Sequence, residues 1–383
     1  MANSRESELH YPLGDVLPGP GDALDLVPGL RWVRMGLPFA LDHINLWLLR
    51  DRIDGREGWT IVDCGIASEE TQANWERVFA ERLDGLPVLR VSATHFHPDH
   101  LGLAHWLTEK WSGRGAGPPQ GAASPPGGQR SGEAASVGAH ECRLWMSATD
   151  YNLARLASSS TIGMGGASAA AFFGSHGLTD PDSLDKIRGR ADYYPRMVPV
   201  VPASYRRLMD GNEVDIGGRL WRCIAGYGHA PEHISLFCDE AGLLISGDMV
   251  LPRISTNVSV VDVEPEGDPL NLYLDSLTRY LDLPAGTLVL PSHGKPFTGL
   301  HARIDQLREH HDERLAEVIT ACRAAPTHAA DLLPVLFKRK LDLHQTTFAM
   351  GEAVAHLNAL WLKGLLRREL CADGVYRFSE PTK

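Results

Sequence analysis

The 383-residue chain has only six cysteines, none in a CxxC pair, which argues against a disulfide framework and against a structural zinc knuckle. It lacks any apolar run long enough to span a bilayer, and Met1-Ala2-Asn3-Ser4-Arg5-Glu6 has no apolar core of a secretion signal. Positive charge is in deficit, with 37 Lys+Arg against 48 Asp+Glu and a net charge of -11. A basic surface that wraps nucleic acid is therefore not expected, although a local basic groove stays open. Neither GxSxG nor HExxH occurs, so the usual marks of a serine hydrolase or a zincin are missing. These absences lead to the expectation of a cytoplasmic globular protein whose chemistry needs no side-chain nucleophile.

What the chain does have is a dense histidine cluster, His95-Phe96-His97-Pro98-Asp99-His100, placed after the apolar run Val88-Leu89-Arg90-Val91. In an extended backbone alternate side chains point the same way, so His95 and His97 can converge on one cation. Pro98 bends the chain, and Asp99 and His100 then point elsewhere, where a second cation could sit. A helix is expected over Leu101 to Trp111. Taken singly, Asp99 reads as a helix cap and His100 as a core histidine, but the spacing of the cluster favours a metal site.

Three later runs read as strands that each end in a residue able to bind metal. Arg219–Ala225 leads to His229, Ala241–Ser246 to Asp248, and Thr287–Ser292 to His293. His95, His97 and His229 make a three-imidazole set, and Asp99, His100 and His293 make a second. Asp248, with two oxygens, is the natural bridge. Imidazole with carboxylate suits two divalent ions, expected to be zinc with iron or manganese as alternatives. The nucleophile expected is a hydroxide shared by the two ions, with Asp99 orienting it or shuttling its proton. His233 reads as a supporting residue or a helix start rather than a ligand.

Around these motifs the chain divides into three expected parts. Residues 1–25, rich in Pro and Gly, read as an irregular lead-in. Residues 26–300 read as one catalytic domain, with strands over Leu30–Met35, His43–Leu49 and Trp59–Asp63 and a helix over about 69–83. It carries a Gly/Ala/Ser/Pro-rich flexible insertion at about 112–138. A long excursion at about 148–207, with Tyr193-Tyr194 expected to be exposed, reads equally as a lid or as a packing surface. Residues 301–383 read as helices, with His311 in the core and His310 solvated, followed by a hairpin around Ala372-Asp373-Gly374.

His95-Phe96-His97-Pro98-Asp99-His100, Gly228-His229, Gly247-Asp248 and Ser292-His293-Gly294, in that order, resemble the metallo-β-lactamase superfamily, particularly its glyoxalase II-like hydrolases. The resemblance implies an α+β fold, a four-layer αββα sandwich with a dinuclear site at one edge, and gives Asp63 a supporting role without ligation. Tyr227-Gly228, where Pro-Gly is commoner, and the 112–138 insertion depart from the pattern without removing a ligand. The C-terminal part resembles the small winged-helix-like extension of the beta-lactamase-like protein 2 group. Lys338-Arg339-Lys340 and Arg367-Arg368 are candidate phosphate contacts there, nearly balanced by nearby acids. The function expected is hydrolysis of a thioester, ester or lactone of a small metabolite, with no membrane partner and with a homodimer open. Two alternatives are an endonuclease or phosphodiesterase on single-stranded nucleic acid, and a mononuclear iron persulfide dioxygenase.

Overall fold

The structure is a computed structural model that describes residues 3–113, 140–160, 165–190 and 192–381. Most of the expected 112–138 insertion lies outside the described residues. After a short 3-10 turn at Glu6–Glu8 come β1 (Ala23–Val27), β2 (Leu30–Gly36), β3 (His43–Ile53) and β4 (Arg56–Val62). Helix α1 (Glu69–Glu81) follows, started by Ser68, whose hydroxyl accepts the Thr71 N–H. Next are β5 (Val88–Ser92), α2 (Pro98–Leu101), α3 (Ala104–Trp111), β6 (Arg143–Met146), four helices among the described residues, and β7 (Tyr205–Arg207). Those four are α4 (Ala148–Ser159), α5 (Gly166–Ser175), α6 (Pro181–Arg188) and α7 (Tyr193–Met197).

The second half adds β8 (Glu213–Ile216), β9 (Arg219–Gly226), β10 (His233–Cys238), β11 (Leu243–Gly247), α8 (Pro269–Thr278) and β12 (Leu288–Pro291). The C-terminal part is α9 (Leu300–Ala324), α10 (Ala329–Leu336), α11 (Leu343–Leu362), β13 (Arg367–Leu370) and β14 (Tyr376–Ser379). Among the described residues the strands form a seven-stranded sheet in the order β1 to β7, a five-stranded sheet in the order β12-β11-β10-β9-β8, and the ribbon β13-β14.

Side-chain alternation explains the layering, because both faces of each sheet are buried. On β3, Trp47 and Leu49 pack between the sheets, while Ile44, Leu46 and Leu48 pack outward against α1, α3 and α4. On the second sheet Leu236, Leu243, Ile245 and Leu290 face inward, and Phe237, Leu244 and Val289 face α8, α9 and α11. The result is the expected α+β sandwich. That outer cluster also takes in Phe172 and Phe173 of α5 and extends to Phe378, so residues beyond 300 share a core with the second sheet.

One buried ion pair ties the two sheets together far from the histidines. Arg90 on β5 donates to both oxygens of Asp51 on β3, at 2.8 and 3.0 Å, and to the Asp215 carbonyl of β8 at 2.7 Å. Asp51 also accepts the Thr60 hydroxyl and the Gly217 N–H. Every oxygen of the carboxylate is occupied, which is what allows a charge to be buried.

Several expectations are corrected by the fold. The lead-in of residues 1–25 runs into strand β1 at Ala23, and Leu9 is already buried in the outer core. The helix expected from Leu101 is broken into α2 and α3, which places Asp99 and His100 on a short turn of their own. His311 is buried as expected, whereas His310 is half-buried, and burial pushes its imidazole down to about 4.

Candidate metal centre

All seven expected donors converge at the end of the sandwich where β5, β9, β11 and β12 terminate. His95, His97 and His229 form one group, and Asp99, His100 and His293 another. His95, His100 and Asp248 form a third that overlaps both, each group's ligand atoms lying within 4.8 Å of one another. The Asp248 oxygens face different groups. Its Oδ2 is 3.3 Å from His229 Nε2, and its Oδ1 is 3.5 Å from both His100 Nε2 and His293 Nε2. In the first group His95 Nε2 lies 2.9 Å from His97 Nδ1 and 3.2 Å from His229 Nε2. In the second Asp99 Oδ2 lies 3.5 Å from His100 Nε2 and 3.4 Å from His293 Nε2.

The outward-facing ring nitrogens are held by fixed acceptors. His229 Nδ1 is 2.7 Å from the Asn257 carbonyl, His293 Nδ1 is 2.7 Å from the His43 carbonyl, and His100 Nδ1 is 2.9 Å from Asp63 Oδ2. Each contact fixes a proton on Nδ1 and turns Nε2 inward, where its lone pair is open to a cation once that nitrogen gives up any proton it holds. Asp63 thus backs His100 from the side away from the donors, and its second oxygen accepts the Thr94 N–H.

Burial and charge give the centre two electrostatic halves. Burial and the neighbouring imidazoles hold His95 well below the usual histidine range and His97 down to about 3. Burial opposes the charged forms of the other half, but mutual attraction outweighs it there. The carboxylates of Asp63, Asp99 and Asp248 hold His100 up to about 9, and Asp248 and Asp99 hold His293 up to about 10. The same attraction keeps Asp99 down to about 2 and Asp248 well below the ordinary carboxylate range.

These residues fit a divalent cation. His100 Nε2 and Asp248 Oδ1 attract each other across 3.5 Å, but both are buried and neither has a hydrogen-bond partner in the protein, and buried polar atoms left so are costly unless something else occupies them. Inward-facing imidazole nitrogens and carboxylate oxygens, with one carboxylate between two sets, make a donor arrangement suited to first-row metals.

His233 starts strand β10 rather than a helix, and it is fully buried. Its Nε2 accepts the Asp248 N–H at 3.2 Å. Gly247 must be glycine here: its φ is +54°, and a Cβ would stand 2.1 Å from His233 Nε2.

Other supports had no motif to announce them. Asn45 on β3 accepts the Trp32 indole N–H and donates to the Pro291 and Gly294 carbonyls on either side of His293. His43 Nε2 accepts the Gly294 N–H at 2.8 Å. Asp150 accepts the Phe96 N–H, and Tyr194, expected to be exposed, is buried with its hydroxyl on the Phe96 carbonyl. Tyr193 is half-buried and bonds His344 of α11 at 2.8 Å. His95, His100, Asp248 and His293 are buried, whereas His97, Asp99 and His229 are partly exposed and mark the open side of the centre.

The family model described as the Metallo-beta-lactamase superfamily matches residues 40–293, and that described as Metallo-beta-lactamase-like, C-terminal domain, matches residues 315–381. A beta-lactamase domain protein from Burkholderia ambifaria is 53% identical with a TM-score of 0.87, covering 99% of this chain and 100% of that one. A metallo-beta-lactamase family protein from Thermus thermophilus shares the fold at 24% identity and a TM-score of 0.68, covering 93% and 100%. A probable metallo-hydrolase of Bacillus subtilis is 29% identical over 163 residues, 40% of this chain and 49% of the relative. The beta-lactamase-like protein 2 homolog of Caenorhabditis elegans is 28% identical over 166 residues, 43% and 50%. The chain spans about half the length of these curated relatives. Among the described residues no helix is long and apolar enough to cross a membrane. With more than half its length matched by the family model and its donors gathered at the strand ends, the chain belongs to the metallo-beta-lactamase superfamily.

Proposed function

We propose that the chain is a hydrolase that uses two divalent cations, zinc by preference, to cleave a thioester, ester or lactone of a small metabolite. The observation that carries this reading is the placement of Asp248, one oxygen beside the three-imidazole set and the other beside His100 and His293. In this reading His95, His97 and His229 would hold one ion, Asp99, His100 and His293 would hold the other, and Asp248 would serve both. Bound ions would polarise a carbonyl oxygen and bring the acidity of water near neutrality. Asp99, partly exposed on the open side, would orient the attacking water and take its proton.

The surroundings support a small acyl substrate. Beside the open side, His344 is stacked on Phe39 at 5.5 Å, contacts Phe348 at 5.0 Å and bonds Tyr193. Burial, together with the charge of Asp99, pushes the Tyr193 phenol up to about 12. This wall offers aromatic faces and a hydroxyl, which suits an organic acyl group. The basic residues considered for nucleic acid are partly engaged, since Arg368 pairs with Glu266 and lies 3.7 Å from the Trp361 ring, and Arg339 bonds Gln345.

Elemental analysis of purified protein, followed by a screen of thioesters, lactones, phosphodiesters and cephalosporins, tests the proposal. About two zinc ions per chain and turnover of an acyl substrate are expected. One iron per chain with oxygen consumption would replace this reading with the dioxygenase, and turnover confined to phosphodiesters would replace it with the nuclease.

A further inference from the structure

Phe96 stands between the two histidines that open the donor cluster, and its peptide groups are gripped from both sides. Its N–H donates to Asp150 Oδ1 at 2.9 Å, and its carbonyl accepts the Tyr194 hydroxyl at 2.5 Å. The Phe96 and Tyr194 rings lie 5.9 Å apart with 25° between their planes. The other oxygen of Asp150 accepts the N–H of Glu232 at 2.7 Å, three residues after His229. Thr149, next to Asp150, donates its N–H and hydroxyl to the Glu232 carboxylate.

A single buried carboxylate thus joins the loop carrying His95 and His97 to the loop carrying His229. Asp150 is 0% exposed, and its bonded partners among the described residues are N–H and O–H groups, with no Lys, Arg or His among them. Burying a charged carboxylate without a cation is an expensive way to hold a fold. A carboxylate does, however, present acceptor lone pairs on two oxygens at once, which one side chain needs if it is to receive two N–H groups from separate loops. Helix α4 does not depend on it for its start, because Ser147 supplies the cap.

We propose that Asp150 and Tyr194 are positioning residues that fix the convergence of His95, His97 and His229. The excursion between β6 and β7 thereby sets the metal affinity of the three-imidazole set. This rests on the reading of that set as a metal site. Neither residue is among the metal-capable groups, so both act through the loops they hold. Imidazole donors must converge to within a few tenths of an ångström for tight binding. Releasing either grip on Phe96 loosens two donors together, and releasing the Glu232 N–H loosens the third.

The test uses the full chain, stripped of metal by chelation and titrated with zinc against a colorimetric competitor, as wild type, Asp150→Asn and Tyr194→Phe. In each variant one equivalent of zinc is expected to bind about 10- to 100-fold more weakly, with the other equivalent within about threefold of wild type. Cobalt titrations should show the spectrum of the imidazole-rich site lost first. Melting temperatures of the metal-free variants should stay near wild type. Unchanged affinity for both equivalents would overturn the proposal, as would equal weakening of both together with a fall in metal-free stability. If Asp150→Asn does not fold, Tyr194→Phe, which removes only a hydroxyl, decides. A wild-type chain that binds no zinc would instead reject the reading of the centre itself.

Discussion

Asp63 Oδ2 and His100 Nδ1 lie 2.9 Å apart, with both side chains fully buried. Asp63 sits just after β4 with φ +63°, a left-handed conformation uncommon for a residue with a Cβ. Holding it there aims one oxygen at His100 and the other at the Thr94 N–H. Asp63→Asn is expected to weaken the metal bound by the Asp99, His100 and His293 set by about 10- to 100-fold. Competition titration with a chelator measures this, and an unaltered affinity would remove Asp63 from the supports of the site.

Asp248 is the donor whose loss should be felt by both sets. Asp248→Ala is expected to lower kcat/KM by more than about 10³-fold while the chain still folds. His97→Ala should behave similarly, since it empties one corner of the three-imidazole set. Circular dichroism checks folding, and turnover of whichever acyl substrate the screen yields checks activity. Full activity in either purified variant would refute the proposed chemistry.

Protons and cations compete for the same nitrogens. In the metal-free chain His100 and His293 titrate near 9 and 10, above the ordinary histidine value of 6.5, because carboxylates surround them. Their protonation therefore stabilises the metal-free fold fully below about pH 6.5, and this contribution is lost as pH rises through 9 to 10. Loading zinc at pH 7.5 should release about two protons per chain, since ligand imidazoles must be neutral. Calorimetry in buffers of different ionisation enthalpy counts those protons. Release of none would mean that the two histidines are already neutral.

The Arg90–Asp51 pair offers a control remote from the chemistry. Asp51→Ala leaves a buried guanidinium without its carboxylate and is expected to cost about 3–5 kcal/mol of stability. Denaturant titration measures the loss. Zinc affinity of the folded fraction should remain at the wild-type value, which separates stability from function.

The seven donors are legible in the sequence because their chemistry depends on residue type, and because each follows a run with strand character. Their supports are not. Asn45, His43 and Asp150 act on backbone groups as many as 249, 251 and 82 residues away, and no local pattern encodes such partners. Strand β10 is hidden because His229-Ala230-Pro231-Glu232-His233 reads as a helix entry, although Ile234-Ser235-Leu236-Phe237-Cys238 has the apolar content of a buried strand. Tyr193-Tyr194 reads as surface because no apolar periodicity surrounds it, yet one ring is buried against Phe96.

The shared core beyond residue 300 governs where this chain can be cut or fused. Val318, Val354 and Leu357 cover the outward side chains of the strands that deliver His229, Asp248 and His293. A truncation there would leave those strands with a bare oily back facing solvent, and exposed faces of that kind drive self-association. The segment beyond residue 300 is therefore not separable from the strands it covers, and a partner protein joined in its place is expected to leave that oily back uncovered.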